Sequence, residues 1–297
     1  MTVNRSSHAT ATQRPERGVS AFRASWLVVR AAIAALVIIW LIPLLGLLVT
    51  SFREEKSIKE TAWWTALLNP LGDQGWTLGG YHDALEIFVE PIFTTLAVVI
   101  PSVIMPVLFA AYAAYGLSHL RFRGRQVLYA LLVSMLVIPL QVAFIPLLKL
   151  WVGLGLKGSW ISIWITHSAF GMPLAISILY AFISRLPSEL IEAARAEGAS
   201  HYQIFWNIVL PLTFPAVTAY AVFQFLWTWN DMMVALVFLN SDKTVVNVAM
   251  VSLLQRFGTN WQSLSTGAFL TMVIPVIVFF AMQRFLVRGL LGGAVKG

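Results

Sequence analysis

The feature that most constrains this chain is a series of long apolar runs without a formal charge, at residues 31–52, 91–120, 126–148, 158–184 and 257–283. A sixth, at 215–241, is interrupted only by Asp231. A hydrocarbon core of about 30 Å is crossed by about 20 residues of helix. No water is available there to satisfy backbone polar groups, so a run of this length must bond to itself as a helix. The expectation is an all-α polytopic membrane protein with six transmembrane helices. Composition agrees, since 59% of the 297 residues are hydrophobic and 11% charged, well outside the range of soluble domains.

The net charge of +7 reads as topology rather than as a nucleic-acid surface. With the N-terminus inside and six crossings, most basic residues fall on the inner segments: Arg5, Arg14, Arg17, Arg23 and Arg30 at the start, Arg121, Arg123 and Arg125 between the second and third runs, Arg185 and Arg195, and Arg284, Arg288 and Lys296 at the end. Most acids fall on the outer ones. That is the positive-inside bias, and it predicts both termini in the cytoplasm. Residues 1–22, rich in Ser, Thr and Arg, read as a disordered cytoplasmic tail ahead of a membrane domain over 23–297. Residues 53–90 form an extracytoplasmic segment whose Trp63, Trp64 and Trp76 suit the headgroup zone better than a docking surface. The first run is too long for a signal-peptide core and reads as a retained helix. The chain has no cysteine, which excludes disulfides and thiolate chemistry.

The longest inner segment between two runs, residues 186–211, spells two short helices. Pro187 and Ser188 supply a start, Glu189 complements the first-turn amides, and Gly198 permits a left-handed stop. Ser200 and Gln203 form a capping-box pattern, followed by Tyr202, Phe205, Trp206 and Val209 at helical spacing, with Pro211 read as the end. The fifth run carries the one acid inside an apolar stretch. An ionised acid in lipid costs ~2.5–3.5 kcal/mol and normally faces the bundle interior or water. On one continuous helix Gln224, Trp227 and Asp231 share a face, with Trp229 and Asn230 beside them. An acid, an amide and flat indoles form a plausible site for a hydroxyl-rich ligand, and equally a polar tie within the bundle. Prolines 101, 106, 139, 146, 173 and 275 inside the runs read as kinks rather than hinges. The chain carries no GxxxxGK[ST] loop, HExxH pair or GxSxG elbow, so a nucleotide-hydrolysing, metal-dependent or acyl-transfer enzyme is not indicated.

Glu192, Ala193, Ala194, Gly198, Ile208, Leu210 and Pro211 stand in register with EAA, three residues, Gly, nine residues, then Ile, any residue, Leu, Pro. The stretch thereby resembles the EAA loop of permease subunits of ATP-binding-cassette importers. The FLWTWND, WTLGGYHDAL and RGLLGGAVKG runs resemble the maltose-type carbohydrate branch, closest to alpha-glucoside permeases, although Asp231 stands where a glutamate often follows in that family. The resemblance implies a type I ABC importer permease fold in a bacterial inner membrane. It implies a coupling helix over 192–198 that docks in a cleft of a separate ATPase, and a C-terminal tail, 284–297, whose Gly292, Gly293 and Lys296 reach the ATPase subunits. It further implies a second homologous permease, two ATPase subunits that alone bind ATP and Mg, an extracytoplasmic sugar-binding protein and a sugar cargo. This chain would be a non-catalytic subunit with no cofactor or metal of its own. Two alternatives stay open: a permease for peptides or polyamines, and an ion-coupled secondary transporter working alone.

Overall fold

The computed structural model of the chain describes residues 17–257 and 260–294, and side chains within 26–255 and 260–285. Among them the fold is all-helical. The elements are α1 (Arg17–Ser51), α2 (Glu55–Glu60), α3 (Trp63–Leu68), α4 (Gly79–His119), α5 (Arg125–Ser134), α6 (Leu140–Gly153), α7 (Trp160–Ile183), α8 (Ser188–Ala196), α9 (His201–Ile204), α10 (Leu210–Trp229), α11 (Met233–Phe238), α12 (Val246–Phe257) and α13 (Trp261–Ala294). Five helices are long and apolar enough to cross a membrane, and α5 and α6 make a sixth if their bent pair is one span.

The centre is α4, 41 residues long, with Pro91, Pro101 and Pro106 inside it. A proline leaves the carbonyl four residues earlier without its helical donor. For Pro101 that carbonyl is Ala97, and the indole Nε1 of Trp164 on α7 donates to it at 2.8 Å. For Pro106 it is Ser102, and Nε2 of Gln224 on α10 donates to it at 3.4 Å. Gln224 is fully buried. Tyr220 Oη lies 2.8 Å from both Gln224 Oε1 and the Gly171 carbonyl, so α7 joins the same knot. A Cβ on Gly171 would sit 2.6 Å from Gln224 Oε1, which makes glycine a packing requirement where α7 and α10 meet. Trp164 and Gln224 thus do the work of the backbone donors that α4 lacks.

Three expectations from the sequence are corrected. The third run is not one helix: Arg125–Val137 and Leu140–Gly153 meet at 103°. The residue before a proline avoids the helical region, and Ile138, ahead of Pro139, is extended at φ −76°, ψ 119°. The fifth run is not continuous either, because α10 stops at Trp229 and the chain turns through Asn230–Met232 into α11. Finally, Pro211 does not end a helix. Residues Phe205–Val209 form one π turn that runs straight into α10, so His201–Trp229 is a single span. The wider turn takes up the missing N–H and the ring clash that Pro211 would impose on the Asn207 carbonyl.

The helical ends also differ in extent. α1 begins at Arg17, inside the segment read as tail, and α13 runs through to Ala294, across most of the segment read as C-terminal tail. The segment between α11 and α13 holds α12, whose Val246, Ala249 and Leu253 are buried beside Ala84, Phe88 and Val99 of α4. The segment after α1 is folded around Arg53, which is 1% exposed. Its guanidinium donates to the carbonyls of Ser57 (2.9 Å), Gln74 (3.1 Å) and Thr61 (3.2 Å), charge-assisted bonds that offset the burial of the charge. Trp64 and Trp76 remain exposed on this cap.

The Gln224 knot has a measurable consequence. Gln224→Leu keeps the volume but strips the Ser102 carbonyl of its donor, an expected loss of about 1–2 kcal/mol for a buried interhelical bond. Purified protein should unfold at a temperature lower by roughly 2–4 °C per kcal/mol lost. An unchanged midpoint would show that the bond contributes nothing.

Candidate functional site

Two regions carry the candidate residues. The first is the loop between α7 and α10. Helix α8 starts at Ser188 behind Pro187, with Glu189 in its first turn and Arg195 in its last. Its stop is a Schellman arrangement: the Ala199 amide donates to the Ala194 carbonyl at 3.0 Å and the Gly198 amide to the Arg195 carbonyl at 3.0 Å, with Gly198 at φ 86°. Nothing lies within 4 Å of a Cβ placed there, so the demand for glycine is purely conformational. Ser200 and Gln203 then form the capping box that opens α9.

Burial sorts the motif into two faces. Ile191 is 5% exposed, and it shares a cluster with Ala110, Ala114 and Tyr115 of α4, Leu179 and Ile183 of α7, and Phe205. Ala194, Ile208 and Leu210 pack against the same cluster. Glu192 and Ala193 face outward with Glu189 and Leu190, and Pro211 is exposed at the start of α10. α8 therefore presents an outer surface that carries the carboxylates of Glu189 and Glu192, while its inner side is seated on the core. Beyond it, Phe205 stacks 4.0 Å from Tyr112 of α4. Phe205 and Val209 are buried as the helical spacing suggested, while Tyr202 and Trp206 remain partly outside. The π turn shifts the stripe onto Ile204, Phe205 and Val209.

The second region is the fifth run, where the break separates residues that a continuous helix would have placed together. Gln224 is inside the knot with α4 and α7. Trp227 lines a cavity of about 340 Å³ with Met135, Ile138, Phe170, Leu174 and Phe223, between the bent pair α5–α6 and the helices α7 and α10. Trp229 is buried and stacks on Phe225 at 5.6 Å. Asn230 is exposed and donates to the Leu226 carbonyl at 2.7 Å. Asp231 sits in the break itself, where Oδ2 accepts from the Val234 amide at 2.9 Å and so caps the start of α11. The same oxygen is 3.9 Å from Nε2 of the buried His167. Asn247 of α12 closes the other side, donating to the Trp229 carbonyl at 2.9 Å. A lone acid in an apolar run is thus a helix cap at a chain break. Asn247, His167, Phe170 and Phe223 were not singled out as site residues from the sequence; a polar Asn in the apolar α12 was the available signal. On the C-terminal side, Gly292 and Gly293 fall within α13, and Lys296 lies outside the described residues.

The sequence profile described as "Binding-protein-dependent transport system inner membrane component" matches residues 106–292, a range that takes in the loop, the cavity-lining helices and the break. The chain belongs to this family. Its membership makes it a multi-pass inner-membrane component, and it leaves no place for an ion-coupled carrier working alone. Relatives in the family include the "Osmoprotective compounds uptake permease protein GgtD" of Synechocystis sp., 42% identical over 269 residues, covering 89% of this chain and 90% of the relative. The "Alpha-glucoside transport system permease protein AglG" of Rhizobium meliloti is 45% identical over 259 residues, covering 84% of this chain and 67% of the relative. In fold, this inner membrane component is similar to a solved chain of a bacterial ABC transporter involved in the import of the acidic polysaccharide alginate, with a TM-score of 0.68 and 22% identity, covering 93% of this chain and 99% of that one.

The conformational role of Gly198 can be tested by a graded pair. Gly198→Val should cost about 1–2 kcal/mol of backbone strain and speed amide exchange over residues 194–203 roughly tenfold. Gly198→Asn, which tolerates the left-handed region, should exchange much like the native loop. Equal exchange in all three proteins would remove the requirement.

Proposed function

We propose that this chain is one of two permease subunits in an ATP-driven importer that accepts its cargo from an extracytoplasmic binding protein, and that α8 is the helix through which ATPase subunits move it. The observation that carries the reading is the two-sided burial of α8. Ile191 and Ala194 are seated on the cluster shared by α4, α7 and α10, while Glu192 and Ala193 are turned outward. A displacement of the outer face is passed to three transmembrane helices at once, because a close-packed interior moves as a body and not by continuous deformation. This chain supplies no nucleotide site. ATP and Mg are bound by the partner ATPases, whose closure around nucleotide pulls on α8. The bundle then alternates between inward- and outward-open arrangements, biased by the different grip of the loop in each. Both termini and α8 lie on the cytoplasmic side, in keeping with the positive-inside distribution. In the same arrangement, the end of α13, with Gly292 and Gly293, lies on the side of the ATPases.

The cargo is a sugar of the di- or oligosaccharide class, with alpha-glucosides the first candidates. The name of the Rhizobium relative supports this, and so does the chemistry of the cavity. Trp227, Phe170 and Phe223 offer flat apolar walls suited to the C–H faces of a pyranose, while the hydroxyl edges would be met across the pathway by the second permease. The Synechocystis relative supports a second reading, a small osmoprotective solute, which the same cavity would hold less selectively. Substrate-stimulated ATPase activity of the reconstituted complex, measured across disaccharides and compatible solutes, separates the two.

Glu192→Lys reverses the charge on the outer face of α8 without touching the core. It should leave the protein in the membrane at normal amount but abolish uptake and co-purification of ATPase subunits, and retention of both would overturn the coupling role. Trp227→Ala removes a stacking wall worth about 1 kcal/mol or more. It should raise KM for uptake several-fold with the complex intact, and an unchanged KM would exclude Trp227 from the path.

A further inference from the structure

The link between α4 and α5 and one edge of α8 line a pocket of about 690 Å³, which Glu192 of the coupling face shares. Its charged walls are Arg121, Arg125, Arg195, His119, His201 and Glu192, three arginines and two histidines against one carboxylate. None of the three arginines is ion-paired among the described residues. Arg125 makes a 3.4 Å contact to the Leu120 carbonyl. The imidazoles are held from behind: Nε2 of His119 donates to the Ile183 carbonyl at 3.1 Å, and Nδ1 of His201 is 2.8 Å from Tyr115 Oη. Three guanidiniums line one volume, and their planar forks match the oxygens of a phosphate.

A second depression of about 400 Å³ adjoins the first, formed by Arg121, Phe122, Arg123 and Arg125, and Phe122 is 44% exposed. This link directly follows α4, a helix long and apolar enough to cross a membrane. An exposed aromatic ring flanked by guanidiniums suits a molecule that has a phosphate at one end and an apolar ester at the other. A soluble phosphate ester has only the first.

We infer that this pocket binds the phosphate of an anionic phospholipid from the inner leaflet, and that the bound lipid bridges the α4–α5 link to α8. The inference rests on the cytoplasmic placement of α8 under the proposed function. The lipid phosphate pairs with Arg121, Arg125 and Arg195, and it fixes the position of α8 relative to α4. The coupling helix thereby becomes sensitive to membrane composition.

The test uses the complete transporter complex, reconstituted in vesicles of phosphatidylglycerol and phosphatidylcholine, extracted into detergent and weighed by native mass spectrometry. The native complex should retain phosphatidylglycerol in preference to phosphatidylcholine. The Arg121→Gln/Arg125→Gln double variant should retain about tenfold less, while Arg121→Lys/Arg125→Lys, which keeps the charge, and Lys149→Gln, an exposed control that lines neither depression, should retain most of it. Equal retention by the native and Gln variants overturns the inference. Displacement of the lipid by millimolar glycerol phosphate also overturns it, in favour of a soluble phosphate ester. Loss of the ATPase subunits from the Gln variant with lipid retention unchanged overturns it as well, because the arginines would then contact protein. Lipid retention and ATPase co-purification are separate readings, so a failure of the coupling role, seen with Glu192→Lys, is distinguishable from a failure of the lipid site.

Discussion

The bundle depends on how α4 makes good the hydrogen bonds that its prolines remove. In water an opened carbonyl would simply be hydrated; in hydrocarbon it must find a donor from protein. Trp164 and Gln224 supply those donors to the Ala97 and Ser102 carbonyls, and each comes from a different neighbouring helix. The defects of one helix therefore specify which helices lie beside it and at what height. Tyr220 and the bare backbone of Gly171 complete the junction, leaving α4, α7 and α10 as one body.

That rigidity gives the loop its mechanical meaning. α8 and α9 connect α7 to α10, so both ends of the loop are fixed to helices already locked against α4. Ile191, Ile204 and Phe205 then sink the loop into the cluster at the same end of the bundle. The π turn at Phe205–Val209 keeps the chain helical past Pro211 and joins the loop to α10 without an interruption that would absorb displacement. Few soft points lie between the outer face of α8 and the membrane helices.

The compliant places are elsewhere, at the 103° bend beside Pro139 and at the break through Asn230–Met232. The apolar cavity lies between the bent pair and the locked helices, with Ile138 on one wall and Trp227 on the other. The break is held by short polar contacts from Asp231 and Asn247, which can exchange partners at less cost than a packed apolar seam. A rigid core bordered by bends, with a cavity between, is a suitable arrangement for a wall that must face two ways.

Much of this was legible in the residues. Run lengths without charge required membrane helices, because a bilayer leaves the backbone no other partner. Gly198, Ser200 and Gln203 specified the stop and restart of the loop, because left-handed turns and capping boxes depend on a few adjacent atoms. What failed was whatever needed a distant partner. Asp231 could be recognised as an unusual acid, but its role as a cap at a chain break depends on Val234, His167 and Asn247, drawn from three elements. Pro211 could be read as a stop, but a π turn admitted it because Phe205 and Val209 gain a buried seat on α4. Gln224 read equally as a group facing a ligand and as a polar tie, and only packing against α4 showed the Ser102 carbonyl it meets. Local sequence determined the helices, their caps and their membrane. The tertiary structure alone decided which polar atoms meet, because in hydrocarbon every such atom must be paired and the pairing partner is set by the whole bundle.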